Sequence, residues 1–192
     1  MARWAAGARE RIVLAAVDLF TEHGYDGTTV AQIAERAEVT RSTFFRYFPD
    51  KRDVLAAGQE TLGRLLTDGI AGAPDGASPL EAVAAGLVNV SGAMSPMNRD
   101  LAPRLEAVIA ANAELQQRNA LKVVGLADAM IAALLARGVP DPTAHVAAEL
   151  GVLAFKRGFA AWSAVHARMA DDLASYALAE LDQLRDATAA LG

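Results

Sequence analysis

The sequence of 192 residues contains no cysteine. Disulfide frameworks, thiolate zinc sites and cysteine nucleophiles are excluded, and the composition is compatible with a reducing cytoplasm. Histidine is almost as scarce, at His23, His145 and His166. His145 and Glu149 lie one helical turn apart, a spacing that can share a metal, but no third ligand has a spacing argument behind it and no metal site is assigned. Gly-x-Gly-x-x-Gly, P-loop, Gly-x-Ser-x-Gly and His-Glu-x-x-His patterns are all missing. Dinucleotide, phosphate, esterase and zinc-protease chemistry thus lose their usual support, and neither an enzyme nor a cofactor is expected. The longest stretch without a charged residue, 82–98, contains Asn89, Ser91, Ser95, Pro96 and Asn98, so no membrane span is expected there. The first ten residues lack the apolar centre of a secretory signal, and a cytoplasmic location is expected. Strand signals are also lacking, because β-branched and polar residues nowhere alternate for long between turn residues.

What is present is apolar and helical in pattern. Hydrophobic residues make up 53% of the chain and charged residues 21%, a balance that supports a folded core rather than disorder. The net charge of −5 argues against a protein that coats nucleic acid. Its distribution is uneven: residues 1–52 carry eight basic and seven acidic side chains, while residues 53–192 carry ten and sixteen. Phe20, Tyr25, Phe44, Phe45, Tyr47 and Phe48 are six of the eleven aromatics. A compact, aromatic-cored domain over 1–52 is expected to precede a larger, alanine-rich one over 53–192.

Within the first domain, Ile12, Ala16, Leu19 and Phe20 follow helical spacing, and Gly24 is placed as a left-handed C-terminal cap. Thr29 then caps a short helix, with Gln32 completing a capping box and Val30, Ile33, Ala34 and Ala37 facing inward. After a tight turn at Glu38 and Val39, Thr40 caps a third helix that Pro49 ends. Two short helices separated by a tight turn form a helix-turn-helix, and the first helix supports them. If Phe44 and Phe48 face the core, Ser42 and Arg46 lie opposite, with Arg41, Thr43 and Phe45 on the flanks. Arg41 can donate bidentately to a guanine edge, Thr43 can touch a base, and Tyr47 and Lys51 can hold phosphates.

The run Thr-Thr-Val-Ala-Gln-Ile-Ala-Glu-Arg-Ala-Glu-Val-Thr-Arg-Ser-Thr-Phe-Phe-Arg-Tyr-Phe-Pro-Asp-Lys, with Gly-Tyr-Asp-Gly before it, resembles the DNA-binding domain of the tetracycline-repressor (TetR) family of bacterial regulators over about residues 9–55. The resemblance implies groove-facing roles for Arg41, Ser42, Thr43, Phe45 and Arg46, and phosphate contacts for Thr29, Tyr47 and Lys51. Two positions depart from the family pattern. Glu38 stands where the turn usually has glycine, so the turn is expected to be reshaped or modestly strained, and Phe45 replaces a frequent tyrosine and can offer only apolar contact.

A helix over 50–70 is expected to link the domains, followed by a breaker-rich loop and helices at about 80–93, 97–111, 113–137, 141–167 and 171–190. The fold class is therefore all-α, about nine helices in total: an N-terminal three-helix helix-turn-helix domain and a larger helical ligand-binding and dimerisation domain. Val146, Leu150 and Leu153 form one apolar stripe and Leu173, Ala177, Leu181 and Leu184 another, which suits a four-helix bundle across a two-fold axis. Residues 97–162 resemble, more loosely, the ligand-binding domains of regulators of acyl-CoA-like effectors. Lining candidates are Leu66, Leu87, Met94, Met97, Leu105, Ile109, Leu126, Met130, Phe155, Phe159 and Trp162, with Arg104 meeting an acidic ligand. The expected partners are double-stranded operator DNA, a small apolar or acyl-CoA-like effector and a second copy of the chain. The competing readings are a helical enzyme or carrier that retains a DNA-binding-like head, and an architectural DNA-binding module without effector.

Overall fold

The computed structural model describes residues 7–55, 59–164 and 172–191; His166 lies outside them. Every regular element among them is helical: α1 (Ala8–His23), α2 (Val30–Arg36), α3 (Arg41–Tyr47), α4 (Lys51–Leu55), α5 (Gln59–Ala71), α6 (Pro79–Ser91), α7 (Pro96–Ala110), α8 (Ala113–Ala136), α9 (Asp141–Ser163) and α10 (Leu173–Ala189). The expected linking helix over 50–70 corresponds to α4 and α5, on either side of residues 56–58, which are not described. Two compact units form, Met1–Ala57 with Asp100–Asn119 and Gly58–Arg99 with Ala120–Gly192. The first domain is thus larger than residues 1–52, because it also contains most of α7 and the start of α8.

The core of the first unit is made from Ile12, Ala16, Leu19 and Phe20 of α1, Ile33 and Ala34 of α2, Phe44 and Phe48 around α3, and Val54 of α4, joined by Val108 of α7 and Leu115 of α8. Local caps explain the short helices. Thr29 accepts a hydrogen bond from Gln32 N at 3.3 Å, while Gln32 Oε1 accepts one from Thr29 N at 2.8 Å. Thr40 caps α3 by accepting from Thr43 N at 3.0 Å. Between α2 and α3, Val39 N donates to Ala34 O at 2.9 Å, the six-residue closure of a left-handed helix end. Glu38 holds that left-handed position with φ 55. The turn therefore keeps the geometry that glycine suits, and the glutamate is strained rather than the turn reshaped. Gly24 also has positive φ, but its ψ of 163 is extended, so it leads the chain away from α1 instead of closing a left-handed cap.

The second unit is built on buried Leu66 and Ile70 of α5, Val83 and Leu87 of α6, Met130 and Leu134 of α8, Ala148 of α9, and Ala177 and Leu181 of α10. Two glycine contacts set its spacing. A Cβ at Gly69 would stand 2.7 Å from the Cα of Gly86, and one at Gly158 would stand 2.6 Å from the Cα of Ala177. At those points α5 meets α6, and α9 meets α10, backbone against backbone. Arg137 closes the end of α5 by donating from Nη1 to the carbonyls of Ile70, Ala71 and Ala73 and from Nη2 to that of Pro74. One described helix, α8, is long and apolar enough to cross a membrane by length and composition. Its inward stripe of Leu126, Met130 and Leu134 packs into the core of this unit.

Candidate functional site

In the first unit, Phe44 is fully buried and Phe48 nearly so, with ring centroids 5.9 Å apart. They anchor α3 and turn its other face outward. Arg41, Ser42, Phe45, Arg46 and Tyr47 are exposed there, Phe45 to 48% although it is a large apolar ring. Phe45 packs edge-on against Phe44 at 5.5 Å, which fixes its direction, and the Arg46 guanidinium lies 5.1 Å over the Tyr47 ring. Thr43 is half-buried, its hydroxyl 2.9 Å from that of Thr40. Thr29 is exposed, but its hydroxyl already donates to Gln32 Oε1 at 2.8 Å as part of the cap.

Lys51 is placed differently from a free phosphate contact. Its Nζ donates to the carbonyls of Tyr25 at 2.7 Å and Thr28 at 2.9 Å, and stands 4.2 Å over the Tyr25 ring. Tyr25 is buried, and burial holds its phenol above the usual value. The buried Thr28 hydroxyl donates to Gly24 O at 2.9 Å and lies 3.2 Å from Leu19 O. Lys51 and Thr28 together pin the α1–α2 turn, so two of the three ammonium protons serve the fold. Three arginines add supports that sequence spacing did not indicate. Arg11 Nε donates to Ala37 O at 3.1 Å, Arg36 pairs bidentately with Glu22 at 2.9 and 3.0 Å, and Arg9 lies 5.4 Å over the Phe48 ring. The Arg36 hydrogen bonds hold the Glu22 carboxyl below the usual carboxylate range. Such pairs bridge residues far apart in sequence, where no periodicity can reveal them.

The effector candidates separate into three groups. Leu66, Leu87 and Met130 are almost fully buried, and Leu126 and Trp162 are buried at 7% and 5% exposure. Met94, Met97, Phe155 and Phe159 of the second unit keep partial exposure. Arg104, Leu105 and Ile109 belong to the first unit. Arg104 Nη2 donates to Asp18 Oδ1 at 2.6 Å, and Ile109 packs on the core around Phe20 and Phe44. Arg104 is thus held within the first unit, to which α7 from Asp100 onward belongs together with α1 to α4. Phe155, Phe159 and Trp162 instead form a continuous aromatic series along α9, with centroid separations of 6.0 and 5.8 Å, and the Arg99 guanidinium covers Trp162 at 5.7 Å. A lysine not selected from sequence, Lys122 of α8, is partly buried, and burial pushes its ammonium below the ordinary lysine value.

The proposed dimer stripes also divide. Val146 and Leu153 are exposed at 58% and 40%, and Leu150 and Leu184 are half-buried. Leu173, Ala177 and Leu181 are buried inside their own unit at 1%, 0% and 5% exposure. A groove of about 760 Å³ runs between the start of α6, the first half of α9 and the second half of α10, with Leu80, Val146, Leu150, Leu178 and Arg185 among its lining residues. It contains none of the effector candidates. No cluster of metal-ligating side chains occurs among the described residues, and His145 Nδ1 lies 2.9 Å from the Asp141 carbonyl.

Comparison with known proteins places this geometry. Residues 12–57 match the family described as bacterial regulatory proteins, tetR family. Over 75 residues, 39% of this chain and 33% of the relative, the sequence is 36% identical to the HTH-type transcriptional regulator TcmR of Streptomyces glaucescens. Over 47 residues, 24% of this chain and 20% of the relative, it is 47% identical to the HTH-type transcriptional regulator HbdR of an Aromatoleum strain. The matched stretches thus span a fifth to a third of these curated relatives. Along 92% of both chains the fold is similar to that of Thermus thermophilus FadR, a TetR-family transcriptional repressor solved in complex with lauroyl-CoA, at 26% identity and a TM-score of 0.52.

Proposed function

We propose, from the match of residues 12–57 to the tetR family of bacterial regulatory proteins, that this chain is a ligand-responsive, DNA-binding transcriptional regulator. The observation that carries the reading is the outward face of α3, where Arg41, Ser42, Phe45 and Arg46 project from a helix held by buried Phe44 and Phe48. A seven-residue helix of this kind enters a major groove with its first turn against base edges. Arg41 reads a guanine edge, Phe45 contacts a thymine methyl, Arg46 faces the groove beside them, and Tyr47 meets a flanking phosphate. Thr29 and Lys51 support the reading mainly as residues that fix the presenting helices, with the third Lys51 proton left for a phosphate.

The chain works in this proposal as a homodimer on a near-palindromic operator, since one short helix reads too few bases to be selective. The exposed Val146 and Leu153 and the half-buried Leu150 of α9 supply the surface for the second copy. A small apolar or acyl-type effector binds the second unit and favours the conformation whose two recognition helices no longer match successive major grooves, so that repression is relieved. The lauroyl-CoA of the FadR complex supports an acyl ligand as the first class to try. No metal or cofactor takes part, and the protein acts in the cytoplasm.

The test is a DNA-binding titration of the full chain against the promoter of its own gene, the flanking promoters and random DNA, repeated with acyl-CoA thioesters. Sequence-selective binding that a thioester weakens is expected. Failure to select any of these promoters over random DNA favours a carrier or enzyme with a DNA-binding-like head, while selective binding that no small molecule alters favours an architectural module.

A further inference from the structure

The arginines of the first unit divide by what they face. Arg11 donates to the Ala37 carbonyl, and Arg36, Arg52, Arg104 and Arg118 each stand within 3.5 Å of a carboxylate. Arg9, Arg41 and Arg46 are exposed and have neither a carboxylate nor a carbonyl partner among the described residues. Two of these three rest on consecutive aromatic rings at the end of α3, Arg46 at 5.1 Å over Tyr47 and Arg9 at 5.4 Å over Phe48. Arg9 belongs to α1, yet Phe48, the residue that caps the end of α3, holds it beside the helix that carries Arg41 and Arg46. Its neighbour Glu10 is turned away from it, accepting from Gly7 N at 3.1 Å. A guanidinium with one flat face on a ring and no ion-pair partner keeps its N–H edge for an acceptor from outside the protein.

We infer that Arg9 is a further DNA contact, donating to a backbone phosphate at the edge of the groove that α3 enters. The inference rests on the DNA-binding reading above and adds to it a residue from outside the helix-turn-helix. Arg41 opens α3 and Phe48 closes it, about 10 Å further along, while a major groove is about 12 Å wide between its phosphate ridges. With Arg41 at a base edge, the far end of α3 comes to a ridge, and a cation held there meets oxyanions rather than bases. A guanidinium suits that place because it donates two parallel hydrogen bonds to one phosphate. The Phe48 ring beneath it is itself buried against Phe44 at 5.9 Å, so the core of the unit sets where the charge stands. A phosphate contact carries no sequence information, so Arg9 adds affinity and fixes orientation without choosing bases.

The experiment titrates the full chain against a random-sequence duplex and the promoter of its own gene over a series of salt concentrations, as wild type, Arg9→Met and Arg9→Lys. Methionine keeps an unbranched stem over Phe48 without the charge, and lysine keeps the charge without the flat face. Arg9→Met is expected to weaken binding to both duplexes by the same factor, about tenfold, and to leave the ratio between them unchanged. It should also flatten the slope of log affinity against log salt by about one for each bound head. Arg9→Lys should keep the wild-type slope. A less stable head lowers affinity by a constant factor and leaves the slope as it was, so the slope separates a phosphate contact from a packing role. An unchanged slope in Arg9→Met would show that Arg9 only covers Phe48 and would overturn the inference, as would a loss of preference confined to one base pair. Wild-type binding with an unaltered Arg9→Met slope sinks this contact and spares the regulator reading, whereas a wild type that binds neither duplex sinks both.

Discussion

Gly158 and Ala177 are in direct backbone contact: a Cβ built on Gly158 would lie 2.6 Å from the Cα of Ala177 and 2.7 Å from its N. The obstructing atoms are main chain and cannot rotate away. Gly158→Ala would gain at most about 1 kcal/mol of helix propensity, but separating α9 from α10 should cost about 1–3 kcal/mol through overpacking. A net loss of stability is expected in urea unfolding. An unchanged or raised midpoint would mean that the two helices are not so closely packed.

The same contact decides how the dimer should be tested. Leu181→Glu places a carboxylate in the core of its own unit and should unfold the chain whatever its oligomeric state. Val146→Glu changes a residue that is 58% exposed. It should leave the unfolding temperature of the isolated subunit nearly intact while sedimentation detects monomers. An intact dimer from the Val146 variant would move the proposed interface away from the first half of α9.

The turn at Glu38 carries backbone strain. A left-handed φ of 55 costs an L-residue about 1–2 kcal/mol, and the greater freedom of glycine in the unfolded chain returns about 0.5–1 kcal/mol of that. Glu38→Gly should therefore be more stable than Glu38→Ala, which loses the same side-chain interaction but keeps the left-handed backbone, by roughly 0.5–1 kcal/mol, seen as a higher denaturant midpoint. Equal midpoints of the two variants would show that the turn carries no such strain.

Arg41→Ala and Lys51→Ala should weaken operator binding by separate routes. Arg41 is exposed on the outward face of α3, so if that face reads DNA as proposed its loss should cost about 1–3 kcal/mol at one operator position per half-site and leave thermal stability unchanged. Removal of Lys51 strips the hydrogen bonds to Tyr25 O and Thr28 O. It should lower the unfolding temperature of the head and weaken binding to every sequence. A Lys51 variant of normal stability, with only its salt dependence reduced, would restore that residue to a pure phosphate role.

The Glu22–Arg36 pair sets an acid-side dependence. Because the Arg36 hydrogen bonds depress the folded-state pKa of Glu22, its stabilisation is present above the ordinary glutamate value of about 4.3 and is lost as pH falls through the folded value. Comparison of wild type with Glu22→Gln by thermal unfolding should show a gap at neutral pH that closes below about pH 4. A gap of constant size across that range would assign it to something other than the carboxylate charge.

Much of the first unit was legible in the order of its residues. The Thr29–Gln32 box, the Thr40 cap, the Phe44–Phe48 spacing and the stop at Pro49 act over four residues or fewer, and sequence records such distances directly. The ranges of α6 to α10 followed from apolar periodicity and breakers for the same reason. Tertiary structure decided which side of each helix met which neighbour. An alanine-rich helix such as α10 offers several faces of similar hydrophobicity, and the folded unit buries the one with Leu173, Ala177 and Leu181, where Gly158 lets α9 approach closely. Likewise the charge of Arg104 is visible in sequence, but its partner Asp18 lies 86 residues away, and Lys51 meets carbonyls 23 and 26 residues distant. Pairings of that separation depend on how whole helices pack, because a long side chain takes the nearest partner that the assembled backbone brings within reach.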